Sequence, residues 1–367
     1  MQKKLIAAAI AGLVAVPALA QTNVTISGNF RAGWESYKLS DCGAAFSCRN
    51  EARVSDQSSG LRFNVVEDLG GGLKAWGQLD YRGSMDLGGL ANSGNSGVGF
   101  MGDKWGKFTL GHWDVHYNEL AGLEATRASS LQGIVSFGLM SQVNGTTVAN
   151  GTRTANLMMW DSPNWNGFTA RLGYSTGFAA ATNEGSGKSA AGAKNPGGGN
   201  AWTGAVRYNN GPWNAGLSYW HANQETRVAP TVDQRSTRAW LGYTFGMGLK
   251  LGVAWDRSTL VNGPAMPDNT RNAWMIPVSY AFGPHAVYFN YAHAGKTSNI
   301  ANSRGSEWML GYDYAFSKRT STGIYFTKVT NNKGGSYDMF GLAVNGATAT
   351  AAGNDARQLY IGMNHTF

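Results

Sequence analysis

The chain has 367 residues, among them 51 glycines and only 9 prolines, and its 30 Lys or Arg outnumber its 22 Asp or Glu for a formal net charge of +8. The basic residues are scattered singly and form no stripe, which excludes a nucleic-acid surface. Beyond the first twenty residues no window approaches 18 uninterrupted apolar residues, which excludes membrane-spanning helices; many aromatics and few charges suit short strands joined by tight turns.

Residues 1–20 read as a secretory signal: Lys3 and Lys4 precede an apolar core over 5–16, and Ala18-Leu19-Ala20 forms a small-residue cleavage site. The alternative, an N-terminal anchor helix, needs a longer core. Removal leaves a chain starting at Gln21 with 30 − 2 = 28 bases against 22 acids, a net +6. Export also carries the two cysteines, Cys42 and Cys48, into an oxidising compartment, where they close a small loop disulfide or stay as two thiols. Two cysteines this close make no metal site without further ligands, and no cofactor is expected.

From Val24 to Trp34 apolar Val24, Ile26, Phe30 and Trp34 alternate with Thr25, Ser27, Asn29 and Arg31, a strand with one apolar and one polar face. A loop with the cysteines follows, then a second strand over about 53–67 that ends in the tight turn 68–72. The third strand places Leu73, Ala75, Leu79 and Tyr81 on one face and Lys74, Gln78, Asp80 and Arg82 on the other. Onward, seven short turns (68–72, 103–106, 163–167, 209–212, 245–248, 282–284, 316–319) alternate with eight long polar links (39–50, 85–94, 114–151, 179–200, 225–233, 260–270, 296–303, 331–355), separating sixteen strand candidates. The strand 307–316 sets Trp308, Leu310, Tyr312, Tyr314 and Phe316 against Glu307, Gly311 and Asp313; the last, 357–367, ends on Phe367.

Short turns at one end, long loops at the other and two-faced strands of roughly 10 residues predict an all-β fold, a closed antiparallel 16-stranded barrel in a membrane. Lipid offers no hydrogen-bond partner, so every backbone group must pair internally, and strands do so only in a closed barrel. Trp34, Trp105, Trp165, Trp202, Trp213, Tyr219 and Tyr288 near strand ends suit interfacial girdles. The stretch 114–151 breaks the alternation for nearly forty residues and carries Asp114, Glu119 and Glu124. A loop this long is usually functional or disordered, and here it is expected to fold into the tube and narrow it.

Several motifs resemble the Gram-negative general porins of the trimeric, betaproteobacterial kind: Val24-Thr25-Ile26 with Gly28, Glu67 to Ala75 with Gln78-Leu79-Asp80, Asp161-Ser162-Pro163-Asn164 with Gly167-Phe168, Leu310 to Thr320, and Gly362 to Phe367. The resemblance spans the whole mature chain and implies a homotrimer of sixteen-stranded barrels in the outer membrane, surrounded by lipid and lipopolysaccharide, with short turns in the periplasm. It implies passive diffusion of ions and small hydrophilic solutes past a third loop folded into the lumen, and a final Phe367 that signals insertion. In this class loop acids face wall bases, which assigns Asp114, Glu119 and Glu124 to the constriction loop, Arg31, Arg62, Lys74 and Arg82 to the opposing wall and Arg127 to bracing the loop. Neutralising Glu119 and Glu124 together is then expected to favour anions if the acidic loop dominates. The chain departs from the family pattern at Arg31, where an acid is usual, and at Gly60 and His112, where arginine is usual.

Other motifs are weak. Gly187-Lys188-Ser189 ends like a phosphate loop but has Thr182 in place of the leading glycine, and Gly173 to Gly177 fits the nucleophile-elbow spacing without a following helix. His112 and His116 stand four apart with no third metal ligand evident. A barrel enzyme would need clustered Asp/His or Ser/His at a rim, and none is evident. A substrate-selective channel is the nearer alternative to a general one; a soluble sugar-binding sandwich fits neither the two-faced strands nor the terminal Phe.

Overall fold

The structure, a computed structural model, describes residues 22–40, 50–129, 131, 133–148, 153–178, 199–223, 233–262, 266–339 and 352–367. The expected signal at 1–20 and Cys42 and Cys48 lie outside the described residues.

Alternation drives the chain into sixteen antiparallel strands: β1 (Thr22–Ser40), β2 in two pieces (Asn50–Asp56 and Ser59–Gly70), β3 (Leu73–Gly83), β4 (Ser96–Gly102), β5 (Gly106–Trp113), β6 (Thr154–Asp161), β7 (Phe168–Ser175), β8 (Asn200–Asn210), β9 (Trp213–Asn223), β10 (Asp233–Thr244), β11 (Leu249–Val261), β12 (Asn269–Phe282), β13 (His285–Ala294), β14 (Gly305–Ala315), β15 (Thr320–Asn331) and β16 (Asp355–Thr366). Each pairs with its chain neighbours, and β16 returns to β1 in register from Asn29↔Thr366 to Ser40↔Asp355, so the sheet closes and leaves no edge. No described helix is long and apolar enough to cross a membrane.

Side chains sort by parity. Val24, Ile26, Leu172, Val206, Leu217, Val253, Phe289, Leu310 and Ile361 point outward and stay exposed, while Asn29, Asp80, Arg238, Asp256, Asn290, Gln358 and Asn364 point inward. Such a surface is costly in water and stable in hydrocarbon. At the short-turn end aromatics pair in a belt, with Phe168 on Tyr208 at 4.6 Å and Trp213 on Tyr243 at 4.7 Å between centroids; at the other end Tyr174 meets Trp202 at 4.4 Å. Tyr288 departs from the expected girdle: it is buried inside, beside Tyr325 and Tyr360, because it shares parity with inward Asn290.

The second strand is not continuous. It breaks at Gln57 and Ser58, where Ser58 adopts φ 64° and the Asp56 carboxylate accepts from the amides of Ser58 and Ser59. Such a bulge shifts the alternation by one: Val54 faces out from an even position, Phe63 and Val65 from odd ones.

The seam is tight at the terminus. Gly28 and Phe367 exchange two backbone hydrogen bonds of 3.1 Å, and the Phe367 ring lies 5.1 Å from that of Phe30. A β-carbon at Gly28 would collide with the carbonyl oxygen of Gly60 and come 2.6 Å from Phe367 Cζ. Gly28→Ala is therefore expected to weaken closure by about 1–3 kcal/mol. Heating followed by electrophoresis checks this: the folded band should be lost at lower temperature than in the unsubstituted protein, and an equal temperature would show that the seam relaxes.

Candidate functional site

The connection between β5 and β6 enters the barrel. Its wall-side attachment is a charged cluster on β10, β11 and β12. The fully buried Asp256 carboxylate accepts from Arg238 Nε at 2.6 Å, Arg271 Nη1 at 3.1 Å and the hydroxyls of Ser258 at 2.6 Å and Ser236 at 3.1 Å. The two guanidiniums then donate into the loop, Arg238 to Tyr117 O at 2.8 Å and Met140 O at 3.1 Å, and Arg271 to Met140 O at 2.9 Å. His116 of the loop is wholly buried between Ser236 and Ser218 hydroxyls, at 2.8 and 2.9 Å. Burial, and next the Arg238 charge, hold its imidazole well below its ordinary pKa, so it is neutral. Leu120, Leu123, Leu139 and Met140 pack on Trp240, Ala254 and Met275 of the same wall.

The loop then crosses the lumen. The amide of Arg127 donates to Asp313 at 2.7 Å, and its guanidinium donates to Pro284 O at 3.0 Å. Ser129 Oγ reaches Gln57 Oε1, at the bulge of β2, at 2.8 Å. These contacts tie Arg127 to β14 and the β12–β13 turn, and Ser129 to β2.

The three loop acids take three different places. Glu119 receives a forked pair of hydrogen bonds from Arg207 and a longer one from Arg171 at 3.5 Å, and its side chain is only 4% exposed. Asp114 accepts from Tyr117 and from Asn95 Nδ2 at 2.8 Å, with Arg153 3.6 Å away. Glu124 departs from the expected lining position: it is fully enclosed within the loop and accepts from the amides of Val135 at 3.1 Å and Ser136 at 2.9 Å and from the Ser136 hydroxyl. The loop doubles back on itself there, so this acid organises the fold of the loop and does not meet solvent.

Burial raises the Glu124 carboxyl to about 7 despite those donors. Its folded value lies above its ordinary one, so its contribution is complete below about pH 4.5 and is lost as pH rises through about 7. Buried His116 acts in the opposite sense, which makes the difference from Glu124→Gln the useful quantity. That variant should be no better held than the unsubstituted loop at pH 4.5 and better held at pH 8, by on the order of 3 kcal/mol. Open-channel current noise at the two pH values measures it; a difference independent of pH would count against it.

The wall bases divide as well. Arg62 and Arg82 share Asp80, at 3.2 and 2.8 Å, and Arg82 also donates to Ser58 Oγ at 2.8 Å. Arg31 exchanges hydrogen bonds with Ser59 through its backbone and donates from Nε to Asn364 at 3.0 Å. The bulge thus gathers Arg31, Arg62 and Arg82 on one arc, with Gly60 packed so closely that a β-carbon there would stand 3.5 Å from Arg82 Cδ. Lys74 departs from this group: it lies at the start of β3, beside the short turn, eight residues from Arg82 and so roughly 26 Å along the strand. None of the described loop residues is hydrogen-bonded to Arg31, Arg62 or Arg82, and Arg62 keeps 38% of its side chain exposed while Asp80 keeps 1%.

Parity also shows bases that the sequence reading passed over. Arg171 and Arg207 sit at inward positions of β7 and β8, and Arg171 is tied to Asp161 at 2.7 Å. Lys107 lies over the Trp76 ring at 3.4 Å from its centroid, another inward pair. His112 faces outward among Phe63, Val98 and Leu110, whereas His116 faces inward, so the two do not converge. No described group of three metal-ligating side chains comes together.

The resulting lumen is partly filled, with Glu119 of the loop clamped to Arg171 of β7 and Arg207 of β8, and with Arg31, Arg62 and Arg82 on β1 to β3, of which Arg62 stays well exposed. The chain is 24% identical over 414 aligned residues to an outer membrane porin protein of Bordetella pertussis, covering all of both chains. The fold is similar to that of an anion-selective porin from Comamonas acidovorans, with a TM-score of 0.74, 23% identity and coverage of 95% of this chain and 100% of that one. It is also similar to the trimer form of OmpT, an outer membrane protein of Vibrio cholerae, with a TM-score of 0.67, 13% identity and coverage of 94% and 99%. The family described as Gram-negative porin matches residues 7–335, nearly the whole chain. The chain therefore belongs to the Gram-negative porins and forms an outer-membrane porin channel.

Proposed function

We propose that this channel prefers anions and is narrowest where the infolded loop faces Arg31, Arg62 and Arg82. The observation that carries the reading is the unequal access of opposite charges. Asp80 and Glu119 are almost wholly covered and bound to arginines, whereas Arg62 remains over a third exposed. A solute passing between loop and wall meets positive charge first, and selectivity in a wide aqueous passage follows the charge that lines it. Asp114 and Glu119 act by orienting Arg153, Arg171 and Arg207, and Arg127 braces the loop. The anion selectivity named for the Comamonas acidovorans porin agrees with this reading.

The reading extends to assembly as a homotrimer within lipid and lipopolysaccharide, which accords with the trimeric relative, and to Phe367 as the insertion signal. Purified protein in a planar bilayer should give conductance steps grouped in threes, and its reversal potential in a salt gradient should have the sign of an anion-preferring channel. A cation-preferring sign would overturn the selectivity.

A further inference from the structure

A second basic site lies at the short-turn mouth, away from the constriction. A cavity of about 500 Å³ opens between Arg127 of the infolded loop and the β14–β15 turn, lined by Arg127, Ser317, Lys318, Arg319, Ser321 and Asn364 among others and by no Asp or Glu. No carboxylate stands within ion-pair distance of Arg127, Lys318 or Arg319 among the described residues. The nearest acid tied to Arg127, Asp313, is buried and already accepts from the Arg127 amide and the Tyr325 hydroxyl.

Both walls of the cavity are fixed. Arg127 is held by its amide on Asp313, its carbonyl under Asn364 Nδ2 at 3.2 Å and its guanidinium on Pro284 O. Across from it, Ser317 Oγ accepts from the amides of Arg319 and Thr320 at 3.1 Å each, and Thr366 N donates to Arg319 O at 2.8 Å. Three cations on rigid supports, with hydroxyl groups between them, match a small oxyanion of charge two or more better than a lone halide, because such an anion can accept from several donors at once. Asn364 joins this cavity to the constriction, since its Oδ1 accepts from Arg31.

We propose that this cavity is an anion site on the periplasmic side, binding phosphate-like dianions and delivering them to or receiving them from the arginine arc above. The site makes the channel asymmetric. The proposal rests on the chain being a channel and is tested separately from its ion selectivity.

The test is single-channel recording of the full mature protein in potassium chloride, with inorganic phosphate added first to one side of the membrane and then to the other. For each channel the half-blocking concentration should be at least about threefold lower from one side, a difference of about 0.65 kcal/mol or more. The double variant K318Q/R319Q should lose the difference and keep the chloride conductance measured without phosphate, while K318R/R319K should retain it. Equal block from both sides, or side-dependent block that survives K318Q/R319Q, overturns the proposal. A cation-preferring reversal potential together with side-dependent block would overturn the selectivity reading and leave this one standing.

Discussion

Asp256→Ala should free the infolded loop while leaving the barrel closed. The substitution strands two guanidiniums, Arg238 and Arg271, that are 1% and 0% exposed and share this one carboxylate. Removing one partner of a buried ionic cluster typically costs about 3–5 kcal/mol, because the remaining charge has no water to return to. The barrel has a large reserve in its closed ladder of strand pairs, whereas this end of the loop takes three of its wall hydrogen bonds from the same two arginines, at Tyr117 and Met140. The cost therefore falls on the loop. Single-channel traces should become noisier and larger in conductance, with the temperature of barrel unfolding changed much less. Asp256→Asn, which keeps acceptor capacity but loses the charge, should fall between. A quiet channel of unchanged conductance would mean that the apolar contacts of Leu120, Leu123 and Leu139, with the hydrogen bonds of Glu119, Arg127 and Ser129, hold the loop without this cluster.

Neutralising the arginine arc should reverse or abolish the ion preference. A guanidinium about 8 Å from the solute path contributes roughly 0.5 kcal/mol in water-like dielectric, so R31Q/R62Q/R82Q together remove roughly 1.5 kcal/mol at low salt, about a tenfold change in permeability ratio. The effect should shrink as ionic strength rises and the charges are screened. Reversal potentials in a potassium chloride gradient at two ionic strengths measure both parts. Glu119→Gln should act less directly. It releases Arg207 and Arg171, so anion preference should hold or rise slightly. A larger shift from Glu119 than from the triple arginine variant would transfer control of selectivity to the loop.

The strands were legible because a membrane barrel imposes one rule on every span, and seven short turns alternating with eight long links place all sixteen. The rule contains more than was read from it. Apolar residues move from even Val54 to odd Phe63 and Val65, which marks the bulge at Gln57 and Ser58, and inward parity marks Arg171 and Arg207. Other features leave no such trace. Glu124 looks like its neighbours Asp114 and Glu119 in the sequence, and only the return of the loop over Val135 and Ser136 encloses it. Partners such as Glu119 with Arg207, or Arg127 with Asp313, lie 88 and 186 positions apart with no periodic pattern between them. Lys74 has the right parity but the wrong height, because parity records which face a side chain takes and says nothing of its depth.

The loop stands chiefly on β10 to β14, and the arginine arc stands on β1 to β3. One arc of the circumference is thus a foundation and the other a working surface. Sequence change on the working arc can alter which solutes pass without loosening the constriction, whereas change on the foundation risks the constriction without retuning it. Gln57 and Asn364 are the joints between the two arcs. A lineage adapting to new nutrients would be expected to vary Arg31, Arg62 and Arg82 well before it disturbs Asp256.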